Sequence, residues 1–440
     1  MSLASVPFQE DERAHPAGGR RAYRILLLLD DPRQERCLRS YADALAKPWS
    51  AQVAILRNYV RQDTGATCCQ VELPMEGGLS TMMPAGDALA GKSLAAGIGG
   101  IAASWPFDML IAEWPESDRD VAAHACVVKD VNVTAVLVRR SDQPLRRVVV
   151  PAGGGAHALE GIRVADALAN AWSLDARVLR IVQPGKDFWP NRADLKLRCR
   201  HIRDAVRLYM DVADVNMPVK VRLGSDVANE IICRSRQGDI IVIGGSSQWL
   251  MENNASASIP SRVAAGASGP VVMVLTNRGR PSALTDVFWD RTVQVGLNAD
   301  GKLSAIEMLV DMLIECRQAP DARRNEIISS VMERERAGVT YIGHETAIPH
   351  AALAGFRGLV GMLGVFPEGV PFGKLGEKAR FVFLLLTPKE SYEVYLPILA
   401  RIARFMNEPT NRLQLAAARN SAQAVELFAR AEGAWRSVGI

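Results

Sequence analysis

The sequence predicts an α/β protein: two tandem Rossmann-like parallel-sheet domains followed by a third α/β domain of different organisation. Three observations lead there. Short apolar runs alternate with helix-length segments through the first two thirds of the chain, the grammar of βαβ units. The order of those runs repeats once, offset by roughly 120–135 residues, too long a period for a solenoid and right for a tandem duplication. After a polar Asn-Arg-Gly-Arg-Pro-Ser stretch at 277–282 the pattern changes.

After a flexible N-terminus at 1–21, the first domain, 22–141, opens on Arg24–Leu29. This run is apolar without a break and ends in Asp30-Asp31-Pro32, which reads as a strand buried on both faces. A helix is expected at about Gln34–Leu45, then strands at Val53–Leu56, Phe107–Ala112 and Val133–Val138. The second domain, 145–277, repeats the order. Arg147–Pro151 opens it, and an Ala-rich helix follows at about Ala156–Trp172. Further strands are expected at Ala176–Val182, Val219–Arg222, Gly238–Gly244 and Pro270–Leu275, with helices at Asp194–Val212 and Val227–Ser235. Both sheets are expected to be parallel. The third domain, 283–440, reads as helices at Lys302–Cys316 and Asn325–Glu335 and strands at Gly358–Val365 and Phe381–Leu386. Helices at Tyr392–Phe405, Arg412–Arg419 and Ala422–Ala431 close it.

Composition narrows the function. A chain of 440 residues, 48% hydrophobic and 23% charged, can bury several cores. The formal net charge of +4 is spread along the chain without a Lys/Arg block, so no nucleic-acid partner is expected. The seven cysteines include no C-x-x-C pair and read as small apolar residues of a reducing compartment. The N-terminus has no basic start and apolar run of a signal peptide. The apolar runs are strand-sized, well short of the roughly 20 residues of a membrane span. A cytoplasmic protein is expected, reaching any membrane through a partner.

Two sites in the second domain carry a resemblance. One is the turn Val150-Pro151-Ala152-Gly153-Gly154-Gly155. The other is Gly244-Gly245-Ser246-Ser247, followed nine residues on by Ala257-Ser258. This domain resembles the universal stress proteins, whose nucleotide-binding members carry G-x-x-G, nine residues, then G-S or G-T. Glycines let backbone N–H groups approach phosphates. Here Gly244 and Ser258 match, while Ser247 and Ala257 replace glycines and Ala152 stands where an adenosine-contacting Asp is frequent. The resemblance implies Gly244, Gly245, Ser246, Ser247 and Ser258 around the phosphates of ATP or another adenine nucleotide. A degenerate structural or dimerising module, homodimeric in that case, is the favoured reading of this domain. In the first domain, Glu113-Trp114-Pro115-Glu116 occupies the loop, so no nucleotide is expected there. Asp30 and Asp31 read as turn and capping residues.

The third domain holds the sharper pattern. Arg334-Glu335 ends a helix; Thr340-Tyr341-Ile342-Gly343 follows, then Ala347-Ile348-Pro349-His350. This stretch resembles the fructose/mannitol/nitrogen-regulatory (type 2) enzyme IIA domains of the phosphotransferase system. The resemblance implies that His350 carries phosphate and Arg334 supplies a cation, with Thr340 and Tyr395 as secondary site residues. Tyr395 stands where the family commonly has a second histidine, and Glu345 where glycine is common. A neutral imidazole is a competent nucleophile near pH 7, and phosphoryl transfer depends mostly on positioning and charge. His344 reads as an exposed loop residue, and no histidine has metal-ligand spacing.

The reading is a cytoplasmic regulatory protein phosphorylated on His350 by the histidine phosphocarrier protein of the phosphotransferase system. Its regulated partner would be a membrane transporter of the cation/proton antiporter or permease kind. No cofactor is required by this role. The alternative is a nucleotide-sensing or scaffold protein whose third domain does not carry phosphate.

Overall fold

In the computed structural model of the chain, the described residues are 22–60, 67–74, 80–84, 94–114, 124, 127–128, 131, 133–153, 156–183, 199–200, 202–203, 206–207, 210, 215–245, 258–276, 283–316, 318–356, 358–389 and 396–437. The expected flexible N-terminus, the stretch at 277–282, most of the helix expected at 194–212, Ser246, Ser247, Ala257 and Tyr395 lie outside them.

Among the described residues, eleven strands form one sheet and six form another. The first sheet starts with β1 (Arg24–Leu29), β2 (Gln52–Val60), β3 (Thr67–Pro74), β4 (Ser80–Pro84), β5 (Met109–Glu113) and β6 (Thr134–Arg139). It continues with β7 (Arg147–Pro151), β8 (Asp175–Val182), β9 (Val219–Leu223), β10 (Asp239–Gly244) and β11 (Val271–Thr276). The order is β4-β3-β2-β1-β5-β6-β11-β10-β7-β8-β9. In both halves the first strand lies centrally, with the second on one side and the last two on the other. Strands β9-β8-β7-β10-β11 are all parallel, as are β2-β1-β5-β6.

The first half departs from the parallel expectation at its edge, where β3 pairs antiparallel with β2 and β4 with β3. The connections explain it. Only residues 61–66 join β2 to β3, too few for the dozen-residue crossover that parallel pairing needs, whereas 36 residues separate β8 from β9 (183–218). The two halves meet where β6 and β11 pair antiparallel over six residues, from Val271↔Arg139 to Thr276↔Thr134.

Helices cover both faces, which is why the strands are continuously apolar. In β1, Ile25, Leu27 and Leu29 face one core while Leu26 and Leu28 face the other. The first core receives α1 (Glu35–Trp49) and α3 (Ala156–Trp172), with Tyr41 and Trp172 edge-to-face at 4.9 Å across the seam. The second receives α2 (Leu94–Ser104), α4 (Val227–Arg234) and α5 (Ile259–Gly266).

The second sheet holds β12 (Val293–Val295), β13 (Tyr341–Gly343), β14 (Thr346–Ala347), β15 (His350–Leu353), β16 (Val360–Pro371) and β17 (Lys378–Pro388). Its order is β12-β16-β17-β14-β13, with β15 continuing beside β17 beyond β14. The helices are α6 (Leu284–Val287), α7 (Lys302–Glu315), α8 (Arg324–Ala337), α9 (Leu396–Asn407), α10 (Pro409–Ala416) and α11 (Ser421–Ser437). Val382, Leu384 and Leu386 of β17 pack with α7 and α8 on one face; Phe381, Phe383 and Leu385 pack with α6, α9 and α11 on the other. No described helix is long and apolar enough to cross a membrane.

Among the described residues, one charged contact ties the two sheets. Arg180 of β8 is 4% exposed; its Nη1 donates to Ala152 O (2.7 Å), and its Nη2 donates to both carboxylate oxygens of Asp290, between α6 and β12. Val182, Ile202 and Val221 pack against Ala422 of α11 beside it. Removing one partner of a pair this buried leaves an uncompensated charge, which costs about 3 kcal/mol. Asp290→Ala should therefore detach the C-terminal sheet, read as a lower melting temperature and earlier proteolysis between the two sheets. Arg180→Met combined with Asp290→Leu should recover most of the loss.

Candidate functional site

Helix α8 buries Ile327, Val331 and Glu335, spaced i, i+4, i+8 on one face, so the carboxylate is carried into the interior as the last member of an apolar stripe. Its side chain is 2% exposed. It accepts from Lys302 Nζ (2.8 Å) and from Thr340 Oγ1. Lys302 is the first residue of α7, where the helix dipole disfavours a cation, and Glu335 offsets that. Lys302 Nζ also donates to Phe372 O (3.1 Å).

Arg334, one residue earlier, sits on the neighbouring face. Its Nη1 donates to Gly338 O (3.0 Å) and its Nε to His350 Nε2 (3.1 Å). The chain then turns through Thr340 into the β13–β14 hairpin, whose two-residue turn is His344-Glu345. Both residues have positive φ, +50° and +53°. Such a turn favours glycine, so Glu345 carries a strain of about 1–2 kcal/mol. The Glu345 carbonyl accepts from Arg380 N–H (2.8 Å) and Phe381 N–H (3.0 Å), which holds the turn against β17. His344 is exposed at its tip.

Ile348-Pro349 then interrupts the strand between β14 and β15. Ile348 N–H turns away to Thr340 O (3.0 Å), while Pro349, having no N–H, offers its carbonyl to Leu385 N–H (3.0 Å). His350 opens β15 at 9% exposure, with Nδ1 2.8 Å from Ile348 O. A carbonyl only accepts, so Nδ1 carries the proton and Nε2 presents the lone pair that meets Arg334. Burial, chiefly, lowers the His350 pKa; the Arg334 charge adds to this, while the Ile348 carbonyl and Glu335 act the other way. The imidazole is neutral at pH 7.

The structure thus brings His350, Arg334 and Thr340 together. The imidazole of His350 is nearly buried, because β15 is covered by α8. Glu335 is quoted within the sequence motif without a role, and Lys302 is not singled out there. The i, i+4, i+8 spacing from Ile327 was the available signal for Glu335; nothing in the sequence marked Lys302.

In the second half of the first sheet, Gly244 and Gly245 end β10 and Ser258 precedes α5. A Cβ on Gly244 would lie 2.7 Å from the His157 backbone, so this glycine permits the close approach of α3 to the strand. A Cβ on Gly245 would meet Leu275 Cδ2 at 2.2 Å. Ser258 is the N-cap of α5, its Oγ accepting from Ser261 N–H (3.2 Å). His157 Nδ1 accepts from Thr276 N–H (3.0 Å), and burial lowers its pKa to about 4. In the first half, Asp31 caps the turn Pro32–Gln34, and Gln34 and Arg140 both donate to Glu113, filling the corresponding end of that sheet. Among the described residues, no group of three or more His, Cys, Asp or Glu could hold a metal ion.

Residues 286–431 match the family model described as phosphoenolpyruvate-dependent sugar phosphotransferase system, EIIA 2. A nitrogen regulatory protein of Bradyrhizobium diazoefficiens is 26% identical over 143 residues, covering 32% of this chain and 91% of its own length. The nitrogen regulatory protein IIA-Ntr of Neisseria meningitidis is similar over 32% of this chain and 93% of its own, with 21% identity and a TM-score of 0.29. The strands of the first sheet are similar to a universal stress protein of Archaeoglobus fulgidus over 58% of this chain and 97% of that one, with 13% identity and a TM-score of 0.35.

Two outcomes are expected. Gly244→Val should destabilise the protein by about 2–3 kcal/mol in denaturant titration without any nucleotide present, because it forces helix backbone away from the strand. The folded pKa of His157 lies below its ordinary value of 6.5, so the associated stability is complete above pH 6.5 and is lost as pH falls toward 4. About 2 kcal/mol is at stake, discounted because the residue is partly exposed. His157→Gln, which keeps an acceptor for Thr276, should flatten that part of the melting-temperature profile.

Proposed function

We propose, from the type 2 enzyme IIA character of residues 286–431, that this chain is a cytoplasmic regulatory protein that accepts a phosphoryl group on His350. The observation that carries the reading is the pair of contacts on one imidazole. Nδ1–H is spent on Ile348 O, and Nε2 faces the Arg334 guanidinium at 3.1 Å. The donor would be the histidine phosphocarrier protein of the phosphotransferase system. In the transfer, the N–P bond of the donor breaks and its electron pair returns to the donor nitrogen. The Nε2 lone pair of His350 forms the new N–P bond, while Nδ1 keeps its proton. Arg334 would leave Nε2 and pair with the phosphoryl oxygens, a charge-assisted contact suited to their developing charge.

A regulatory rather than sugar-passing role is supported by the curated relatives, which are named nitrogen regulatory proteins. The regulated partner proposed from the sequence resemblance is a membrane transporter of the cation/proton antiporter or permease kind. Nucleotide binding by the second half of the first sheet gains no support from Gly244, Gly245 or Ser258. Each of them has a packing or capping role there.

The test is incubation of the purified chain with phosphoenolpyruvate and the general phosphotransfer proteins, followed by detection of acid-labile phosphate. His350→Ala should abolish incorporation. Arg334→Ala should slow it by about 10²-fold, the size of one lost electrostatic donor. The loss of rate on acidification should set in at lower pH than an ordinary imidazole would give, since burial lowers the His350 pKa. A folded chain that takes up no phosphate would leave the scaffold reading.

A further inference from the structure

The contacts around His350 close into a ring that starts and ends on α8. Glu335 accepts from Thr340 Oγ1. The Thr340 carbonyl accepts from Ile348 N–H (3.0 Å), and the Ile348 carbonyl accepts from His350 Nδ1–H (2.8 Å). His350 Nε2 accepts from Arg334 Nε–H (3.1 Å), the residue before Glu335. Outside the ring, Lys302 anchors Glu335 from the start of α7 at 2.8 Å.

We infer that Glu335, anchored by Lys302, is a positioning residue that fixes the tautomer and placement of His350 through Thr340 and Ile348. This rests on the phosphoryl-carrier reading of the site, but its argument is separate. An imidazole in solution populates both neutral tautomers, and only one leaves Nε2 unprotonated toward Arg334. The Ile348 carbonyl selects that tautomer only while it stays aimed at Nδ1. Ile348 precedes a proline and has left the β-ladder, so its orientation depends on the bond from its N–H to Thr340. Thr340 in turn follows the end of α8 and is pinned there by its hydroxyl on Glu335. A fully buried carboxylate would be costly at this place without a cation, and Lys302 supplies one from the neighbouring helix.

Among the described residues, Arg334 lowers the His350 pKa through its charge and Glu335 raises it. Glu335 touches neither ring nitrogen. Its direct hydrogen-bond partners are Lys302 and Thr340, so its effect on the ring runs mainly through the loop.

The experiment uses the full chain labelled with ¹⁵N on histidine. Long-range imidazole correlation spectra at pH 7 should give wild-type His350 as a single Nδ1–H tautomer. Thr340→Val removes only the hydroxyl and should produce a tautomer mixture, as should Glu335→Gln. Thr340→Ser should restore the single tautomer. In phosphoryl transfer from the phosphocarrier protein, both altered variants should lose about tenfold or more in kcat while KM for the carrier changes less than twofold. If Thr340→Val keeps a melting curve like wild type and still shows one Nδ1–H tautomer, the positioning role is overturned, whether or not phosphate is transferred. If wild type takes no phosphate yet the tautomer loosens in both variants, the positioning role stands and the carrier reading falls. Thr340→Val decides the matter even where Glu335→Gln fails to fold.

Discussion

The antiparallel pairing of β6 with β11 is the constraint from which the architecture of the first two thirds follows. Each half alone would end on an exposed strand rich in Val and Leu, a template for pairing with any other chain. Joining the two closing strands over six residues satisfies both at once and makes one sheet with a pseudo-twofold relation between its halves. It also aligns α1 with α3 on one side of the seam, where Tyr41 meets Trp172. The edges that remain are β4 and β9, and on β9 Lys220 and Arg222 stand exposed between buried or half-buried neighbours. Charged residues on an edge strand discourage further pairing.

In the second sheet the corresponding constraint is local and polar. Ile348-Pro349 breaks a strand that would otherwise run from Thr346 to Leu353 along β17. A break inside a sheet frees backbone groups that must find partners. Here Thr340 and Leu385 take them, and the detour is what turns the Ile348 carbonyl toward His350. The same interruption therefore exposes a ring nitrogen to Arg334 and assigns the proton to the other. Burial lowers the pKa of the imidazole, so the neutral, nucleophilic form is the resting one. Site geometry and site electrostatics have one origin in the break.

Strands covered on both faces were legible because their apolar runs had no alternation: Arg24–Leu29, Asp239–Gly244 and Phe381–Leu386 fall within observed strands. The helix Ala156–Trp172 was legible from its Ala-rich pattern. Arg334 and His350 were legible through the resemblance of the stretch from Arg334-Glu335 to Ala347-Ile348-Pro349-His350 to type 2 enzyme IIA domains. The hairpin of β3 and β4 was not legible, because edge strands show weak apolar signal and its Cys68-Cys69 pair suggested nothing of a sheet. Nor could any single strand announce that β6 would choose β11, a choice set by twist and covering helices. Glu335 was read as part of a motif ending a helix, although its spacing from Ile327 and Val331 already implied burial. Burial of a carboxylate demands a cation, and finding Lys302 required the fold, since it lies 33 residues away.

Arg180 shows how the two sheets depend on each other. A guanidinium at 4% exposure needs its charge answered inside the protein, and the second half of the first sheet offers it only the Ala152 carbonyl among the contacts described. The carboxylate comes from Asp290, in the loop that leads into β12 of the other sheet. The buried cation is therefore stable only when the C-terminal sheet is docked, and the docked state also covers Val182 and Val221 with Ala422. Apolar area alone on that scale would hold weakly; the ion pair makes undocking leave a charge behind. Ala152 follows directly on β7, so the carbonyl that Arg180 holds belongs to the turn that closes this strand. A change in that turn and a change in docking both act on the same guanidinium, which couples the two regions through a single side chain.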